Sequence, residues 1–189
     1  MLKRIFDFFG KESKTAHVMT SVCPAEETAN YVIENGILVS YKVTSDVCLI
    51  PEGVTELKRF AINYDRDKIR EIVLPSTLCC IREHNFSSCK NLERINFSEG
   101  LLEIEAKAFE CCKSLRAVSL PKTLRKIGDQ AFRGCESLTD LHLNKGLLEI
   151  GESAFSGNKS LKEISLPGTI QTLGKNAFTW CQELEQVTV

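Results

Sequence analysis

The sequence lacks the features that mark membrane-spanning and nucleic-acid-binding chains. No stretch approaches the ~20 consecutive apolar residues of a transmembrane helix, so we expect no membrane span. The 24 basic and 25 acidic residues nearly cancel, and the formal net charge is −1. Such a balance gives no long-range attraction for nucleic-acid phosphates, so we expect no nucleic-acid partner.

Catalytic groupings are missing as well. The three histidines are His17, His84 and His142. No Ser/His/Asp or Cys/His pair stands out, the carboxylates are scattered, and there is no glycine-rich phosphate loop. The sequence therefore predicts a chain that is not an enzyme and binds no cofactor. Cys79, Cys80, His84 and Cys89 could ligate zinc by residue type, but their spacing matches no familiar zinc pattern, so we expect no metal site.

The nine cysteines are an odd number, so at least one cannot pair within the chain. The apolar run at the N-terminus is interrupted by Asp7 and ends at Gly10, which is too short and too charged for the apolar region of a secretory signal. Both features favour a reducing compartment. We therefore expect a cytoplasmic protein, with peripheral membrane association as an alternative.

That alternative depends on residues 1–14. Leu2, Ile5, Phe6 and Phe9 follow helical spacing, and residues 1–22 hold four basic groups against two acidic ones. A short, basic, aromatic helix can lie on a membrane surface. The same stretch is also compatible with a helix that packs on its own domain or on a partner, or with a disordered tail.

What the sequence does contain is a repeat of 23 residues. One column holds the phenylalanines Phe86, Phe109, Phe132, Phe155 and Phe178. Further apolar columns begin at Leu78, Ile81, Leu92, Ile95 and Phe97 and keep the same stride. A strict period of this length predicts a solenoid, in which stacked coils bury each column against its own copies.

Each coil reads as two short extended pieces joined by bends. Within residues 115–120, Val118 and Leu120 alternate with Ser119, as expected for a strand with one buried face. Pro121 should end this strand because proline has no N–H to donate. After a second extended piece, Gly128 turns the chain, and we expect "DQAFRGC" (residues 129–135) to form a single helical turn.

Residues 115–135, "LRAVSLPKTLRKIGDQAFRGC", resemble the leucine-rich repeat family in its bacterial BspA-like class, whose repeat is written LxxIxLPxxLxxIGxxAFxxC. The resemblance extends over roughly residues 48–189. It implies a β-dominated α/β horseshoe-type solenoid, right-handed, with a parallel sheet on its concave side and an N-terminal hairpin cap.

The repeats also differ from one another. The first coil is degenerate and one residue longer, since Pro51 and Pro75 are 24 apart. A two-coil period is visible too, because coils with the Pro-x-Thr of Pro121 and Thr123 alternate with coils that carry Ser98 or Asn144 in place of proline. Duplication of a 46-residue pair explains this alternation without a functional claim.

The ends of the array suggest three segments. Residues 1–22 form a tail or short amphipathic helix, residues 23–46 a β-hairpin cap around Asn35-Gly36, and residues 47–189 a solenoid of about six coils that stops within a coil. No polar cap follows the last coil. Trp180 should therefore either fold over that end or contribute to self-association there.

Cys89, Cys112, Cys135 and Cys181 share one column, with Asn158 in the remaining slot. Disulfides between neighbouring coils are conceivable by distance, but stacked copies project in the same direction, which is poor disulfide geometry. We interpret these cysteines as buried structural thiols.

The outward strand positions remain as the candidate binding face, because alternation turns them away from the core. The face consists of Arg94, Asn96, Arg116, Ser119, Asp140, His142, Glu163 and Ser165. The leading hypothesis is a non-enzymatic protein-interaction scaffold with an unidentified protein partner. The alternatives are a membrane-surface adaptor anchored by the N-terminal helix and a structural protein that assembles end to end.

Overall fold

The computed structural model describes residues 30–62 and 65–189. Two strands form a hairpin, β1 (Asn30–Glu34) and β2 (Ile37–Lys42). The three-residue strands, together called the long-strand row, are β3 (Val47–Leu49), β5 (Glu71–Val73), β7 (Arg94–Asn96), β9 (Ala117–Ser119), β11 (Asp140–His142), β13 (Glu163–Ser165) and β15 (Gln186–Thr188). The two-residue strands, together called the short-strand row, are β4 (Glu56–Leu57), β6 (Cys80–Ile81), β8 (Glu103–Ile104), β10 (Lys126–Ile127), β12 (Glu149–Ile150) and β14 (Thr172–Leu173).

The chain winds as a β-solenoid in which every coil adds one strand to each row. Strands that pair within a row are parallel, and their partner residues lie one repeat apart, as Leu141 is to Val118 and Ile150 is to Ile127. The first step is the exception, because Val47 partners Glu71, 24 residues later. The extra residue of the first coil is thus absorbed before the second long strand begins.

The predicted apolar columns form the core. The phenylalanine column is a stack in which successive ring centroids from Phe86 to Phe178 lie 5.1–5.4 Å apart, with ring planes within 10° of parallel. Phe86, Phe109, Phe132 and Phe155 are fully buried. Stacking identical side chains along the axis buries each ring against its own copies, which is why one coil alone could not bury it.

The predicted helical turn around each phenylalanine is wrong, and the α part of the expected α/β class fails with it. The described residues contain only one helical element, the 3-10 helix Arg66–Lys68 of the first coil. In residues 129–134, the N–H groups of Gln130, Phe132 and Gly134 donate to the next coil, to the carbonyls of Glu152, Ala154 and Ser156 at 2.8–2.9 Å. An α-helix would need these same N–H groups for carbonyls four residues back.

This segment therefore forms a third set of bonds between coils, which we call the Phe-turn row. It depends on two left-handed residues per coil, and most of them are not glycine. The first column has φ of 54–59° at His84, Lys107, Gln130, Ser153 and Asn176, and the second contains Ser88, Cys111, Gly134, Gly157 and Trp180. Left-handed φ is unfavourable for residues with a Cβ, so the bonds between coils must offset the cost.

The degenerate first coil keeps the first left-handed position of this turn despite its different sequence. Phe60 has φ of 62°, matching the left-handed column of the later coils, and it is 49% exposed. Two residues later, buried Ile62 occupies the place that phenylalanine holds elsewhere. The turn is thus preserved by backbone conformation and burial rather than by the aromatic side chain.

At the N-terminal end, the hairpin forms as the Asn-Gly signal predicts. β1 and β2 are antiparallel, and Asn35 and Gly36 both have positive φ, as a type I′ turn requires. β2 then pairs with β4 in parallel. The hairpin is therefore hydrogen-bonded to the first coil through a short strand. The N-terminal segment proposed to contact a membrane lies outside the described residues, which contain no helix long and apolar enough to cross a bilayer.

Candidate functional site

All eight side chains of the predicted binding face are exposed along the long-strand row. Seven of them flank buried central residues such as Ile95, Val118, Leu141 and Ile164, and Arg116 lies one residue before β9. The alternation of strand side chains is the reason, since one residue in each three-residue strand points to the core and its two neighbours point away. The row thus presents two parallel columns of polar groups.

The N-terminal part of this face is occupied by its own ion pairs. The guanidinium of Arg94 lies 3.1 Å from the Glu71 carboxylate, and the Asn96 amide donates to the same carboxylate at 2.7 Å. The Arg94 bond and then the Asn96 bond hold the pKa of Glu71 below its usual range. These side chains already satisfy one another across β5 and β7, so they offer a partner little that is unpaired.

The pairing of the long-strand row alternates between tight and open steps. Hydrogen bonds join β3, β5 and β7, then β9 to β11, then β13 to β15. Among the described residues, no backbone hydrogen bond directly joins strand β7 to β9 or strand β11 to β13. Every second step after β5 is therefore open, whereas the short strands from β6 to β14 form one continuous sheet.

Proline marks the tight steps. At each of them, the residue just before a proline donates its N–H to the next long strand, as Leu120 does to His142 at 3.1 Å and Leu166 to Thr188 at 2.8 Å. Phe97 and Leu143 occupy the same position before Ser98 and Asn144, and their N–H groups make no such bond. Because a following proline restricts a residue to extended conformations, it holds this N–H in line with the next strand.

This overturns the expectation that proline ends the strand. β11, which is followed by Asn144, ends at His142, the same coil position at which β9 ends before Pro121. Strand length is thus independent of the proline. Its effect is on the following coil, and the two-coil period of the sequence appears in the structure as alternate pairing.

The open step between β11 and β13 is flanked by two clefts that share Leu141, His142 and Ser165. One cleft is about 440 Å³ and is lined partly by Leu143, Leu166 and Pro167. The second cleft is about 200 Å³ and is lined by Asp140, Glu163 and Gln186 among others. The opening therefore combines an apolar recess on one side with a polar recess on the other.

The polar groups at this opening are less engaged than those near β5. Asp140 accepts a hydrogen bond from Thr139 in its own strand segment at 2.7 Å. His142 and Glu163 make no side-chain hydrogen bond or ion pair to another described residue. Half of the predicted face, from Asp140 to Ser165, thus carries groups that a partner could bind.

A larger concavity of about 610 Å³ lies along the short-strand row. Its lining is acidic, but Glu103 and Glu105 are already paired with Lys126 at 3.1 Å and with Arg82 at 2.7 Å. Gly128 and Gly151 line its floor, and a Cβ on either would collide with the backbone of the preceding coil. The glycines are explained by coil packing, so we place the candidate site on the long-strand row instead.

Cys89, Cys112 and Cys135 of the cysteine column are buried, as predicted, whereas Cys181 in the last coil is half-buried. The thiols of Cys112 and Cys135 donate to the carbonyls of Phe86 and Phe109 at 3.2 and 3.4 Å. Burial raises the pKa of both thiols, which keeps them protonated. The eight described cysteines are free thiols. No group of three or more His, Cys, Asp or Glu side chains in residues 30–62 and 65–189 is arranged to hold a metal ion.

Asn158 replaces cysteine in this column. Its side-chain oxygen accepts from the Cys135 N–H at 2.9 Å, while its Nδ2 is buried and has no partner. Sequence analysis placed Asn158 in the column without foreseeing this unmatched donor.

Comparison with known proteins agrees with the geometry. Residues 55–185 match the BspA type leucine rich repeat region in six copies. A search of curated proteins found no match.

Solved structures of bacterial proteins share the fold. The T. pallidum leucine-rich repeat protein TpLRR is 29% identical, with a TM-score of 0.78 over 85% of this chain and 78% of its own. A leucine-rich repeat protein from Bacteroides ovatus is 25% identical, with a TM-score of 0.62 over 87% of this chain and 52% of its own. The pneumococcal vaccine antigen PcpA is also 25% identical, with a TM-score of 0.64 over 85% of this chain and 46% of its own. This chain thus spans about half the length of the latter two, and it belongs to the BspA-type leucine-rich repeat family.

Proposed function

We propose that the protein is a non-enzymatic interaction module that binds a protein partner on the long-strand row, centred on the opening between β11 and β13. The observation that carries this proposal is the coincidence of two features. The exposed and unpaired part of the predicted face, with His142 and Glu163, lies where the row is open and flanked by clefts.

The lining of the clefts supports a specific mode of binding. A partner loop could place an apolar side chain in the larger recess against Leu143, Leu166 and Pro167, while its polar groups meet His142 and Glu163. Apolar anchoring surrounded by polar contacts is the usual anatomy of a protein interface. The face contains no aromatic residue, so the partner must supply the aromatic anchors.

Further structural details follow from family membership and belong to the same proposal. We infer that the array curves in a right-handed horseshoe and that the hairpin closes its N-terminal end. The pairing of β2 with β4 supports the second inference, because it places the hairpin against the first coil. We also propose a cytoplasmic location, with peripheral membrane association as the alternative, on the basis of the odd number of cysteines and of an N-terminus unlike a secretory signal.

The proposal is tested with the variant Asp140→Ala/His142→Ala/Glu163→Ala in a capture experiment from host lysate, with bound proteins identified by mass spectrometry. These side chains are exposed, so the melting temperature should be unchanged while the captured partner is lost. A matched control is Glu103→Ala/Glu149→Ala, which removes two carboxylates from the short-strand row. If a reproducible partner binds the triple variant as well as the parent chain, the binding site lies elsewhere.

A further inference from the structure

The first long strand, together with Val73 of the second, departs from the polar pattern of the outward face. Val47 is 38% exposed and Leu49 is 48% exposed, and Val73 beside them is half-buried. Beyond β3 the Val47 column holds Glu71, Arg94, Ala117, Asp140, Glu163 and Gln186, and beyond Val73 the Leu49 column holds Asn96, Ser119, His142, Ser165 and Thr188. The later coils show that the fold itself does not require apolar residues at these positions.

The backbone at this edge does not need an added strand. The Leu49 N–H donates to the Tyr41 hydroxyl at 3.2 Å, and the Val47 N–H donates to Ser45 Oγ at 3.3 Å. Two N–H groups of β3 are therefore already bonded to side chains of the segment before it. What remains uncovered is the apolar side-chain surface of Val47 and Leu49, which favours packing by an amphipathic segment over strand addition.

We propose that the N-terminal segment of this chain, residues 1–14, packs its apolar side on the surface formed by Val47, Leu49 and Val73. Leu2, Ile5, Phe6 and Phe9 give the segment one apolar side at helical spacing, and Lys3 and Arg4 lie off it. Burying aliphatic and aromatic groups against each other is the contact that this surface lacks.

The chain between residues 1–14 and the surface of Val47, Leu49 and Val73 is long enough to allow this contact. β1 begins at Asn30, which lies opposite Lys42, and Val47 follows only five residues later along the chain. Phe9 precedes Asn30 by 21 residues, and an extended chain spans about 3.3 Å per residue, so the segment reaches the surface with slack. Tethering also gives the segment an effective concentration in the millimolar range, which an external partner rarely matches.

The charge beside this surface is opposite to the net charge of residues 1–14. Exposed Asp46 precedes Val47 directly, while residues 1–14 contain four basic and two acidic side chains. A segment docked here would cover the first two long strands and leave the face from Arg94 onward accessible. The contact is thus separate from the binding site proposed at β11 and β13, and its test does not depend on that partner.

The test is limited tryptic digestion of the full chain, with cleavage after Lys11 and Lys14 followed by mass spectrometry. Proteolysis of a docked segment follows the population of its open form. The variant Val47→Gln/Leu49→Thr introduces the residues that Gln186 and Thr188 place in the same columns. We expect cleavage to become roughly fivefold faster, corresponding to about 1 kcal/mol of docking. The control Leu102→Gln changes an equally exposed leucine, at 50%, to the residue of Gln171 in its column and should leave the rate unchanged.

The reciprocal variant Phe6→Ser/Phe9→Ser changes the segment and leaves the solenoid intact, so it remains informative if the first pair disturbs folding. It should accelerate cleavage to the same degree, and combining both pairs should add nothing further. The proposal is overturned if neither pair changes the rate. It is also overturned if protection rises with protein concentration, which indicates a second copy, or arises only with phosphatidylglycerol-containing vesicles, which indicates membrane binding.

Discussion

The Phe-turn row and the long-strand row lie on different sides of the same coils, yet they hold those coils together differently. In the Phe-turn row, each coil from Phe86 to Phe155 donates backbone N–H groups to the next coil, and the rings stack without interruption to Phe178. In the long-strand row, the bonds stop at two steps, β7 to β9 and β11 to β13.

Within each repeat, the Phe-turn side therefore stabilises the fold, and the long-strand side is available for recognition. Continuous stacking and bonding on the Phe-turn side fix the spacing of the coils, so the opposite side can lose hydrogen bonds without unfolding. The open step is then free to present clefts and unpaired polar groups. Four predictions test whether the two sides differ in this way.

The largest effect should come from the phenylalanine stack. Phe132 is fully buried between Phe109 and Phe155, with centroids 5.1 and 5.4 Å away. Phe132→Ala removes a ring that neighbours on both sides cannot replace, so we expect a loss of roughly 3–5 kcal/mol in chemical denaturation. Phe178→Ala, at a partly buried ring stacked on Phe155, is the control and should cost less. Equal losses would contradict the argument that full burial between two neighbouring rings sets the cost.

Replacing a glycine by alanine should destabilise the protein at a site of close coil contact but not on the long-strand side, with a smaller effect than the loss of a phenylalanine. A Cβ on Gly151 would lie 2.6 Å from the Asp129 nitrogen and from the Gly128 carbonyl carbon, both backbone atoms of the preceding coil. Gly151→Ala should therefore force the coils apart at a cost of roughly 1–3 kcal/mol. Gly168, after β13, has no atom within 4 Å of such a Cβ, so Gly168→Ala should be neutral within about 0.5 kcal/mol. Similar melting temperatures for both variants would contradict this comparison.

Amide exchange should reveal the alternation directly. The N–H groups of Leu74, Leu120 and Leu166 donate to the next coil at 2.8–3.2 Å. Those of Phe97 and Leu143, at the same position in the intervening coils, have no described acceptor. Hydrogen exchange followed by NMR should be at least roughly tenfold faster for the latter two. Uniform protection of all five amides would mean that the row is paired throughout.

Sequence analysis found the core because burial imposes the same apolar column on every coil, and Leu78, Leu101 and Leu124 repeat for that reason. The exposure of the outward positions followed from strand alternation. The bonds of the Phe-turn row were missed because they are made by backbone groups, and residues as different as Lys107 and Gln130 adopt the same left-handed φ there. Their side chains do not predict that conformation.

The sequence shows a two-coil period, but it does not predict that this period alternates the pairing of the long strands. Pro121 and Asn144 differ at one position of the repeat, and the consequence lies in whether the preceding N–H reaches the next coil. That outcome depends on the conformation of two coils at once. Trp180 is 73% exposed, and its predicted role in covering the last coil or in self-association stays a prediction.

The smallest effect should come from the ion pairs on the closed part of the face. Because Arg94 and Asn96 hold the pKa of Glu71 below its ordinary value, ionised Glu71 favours the folded state. This contribution is complete above the unfolded pKa of about 4.3 and is lost as the pH falls through the lower folded pKa. Glu71→Gln should therefore lower the melting temperature by roughly one or two degrees at neutral pH. The difference should disappear at pH values below the folded pKa. Glu163→Gln changes the same column at the open step, where the carboxylate has no described partner, and should leave the melting temperature at neutral pH unchanged. Identical pH profiles for the two variants would show that the closed and open parts of the face do not differ in their charges.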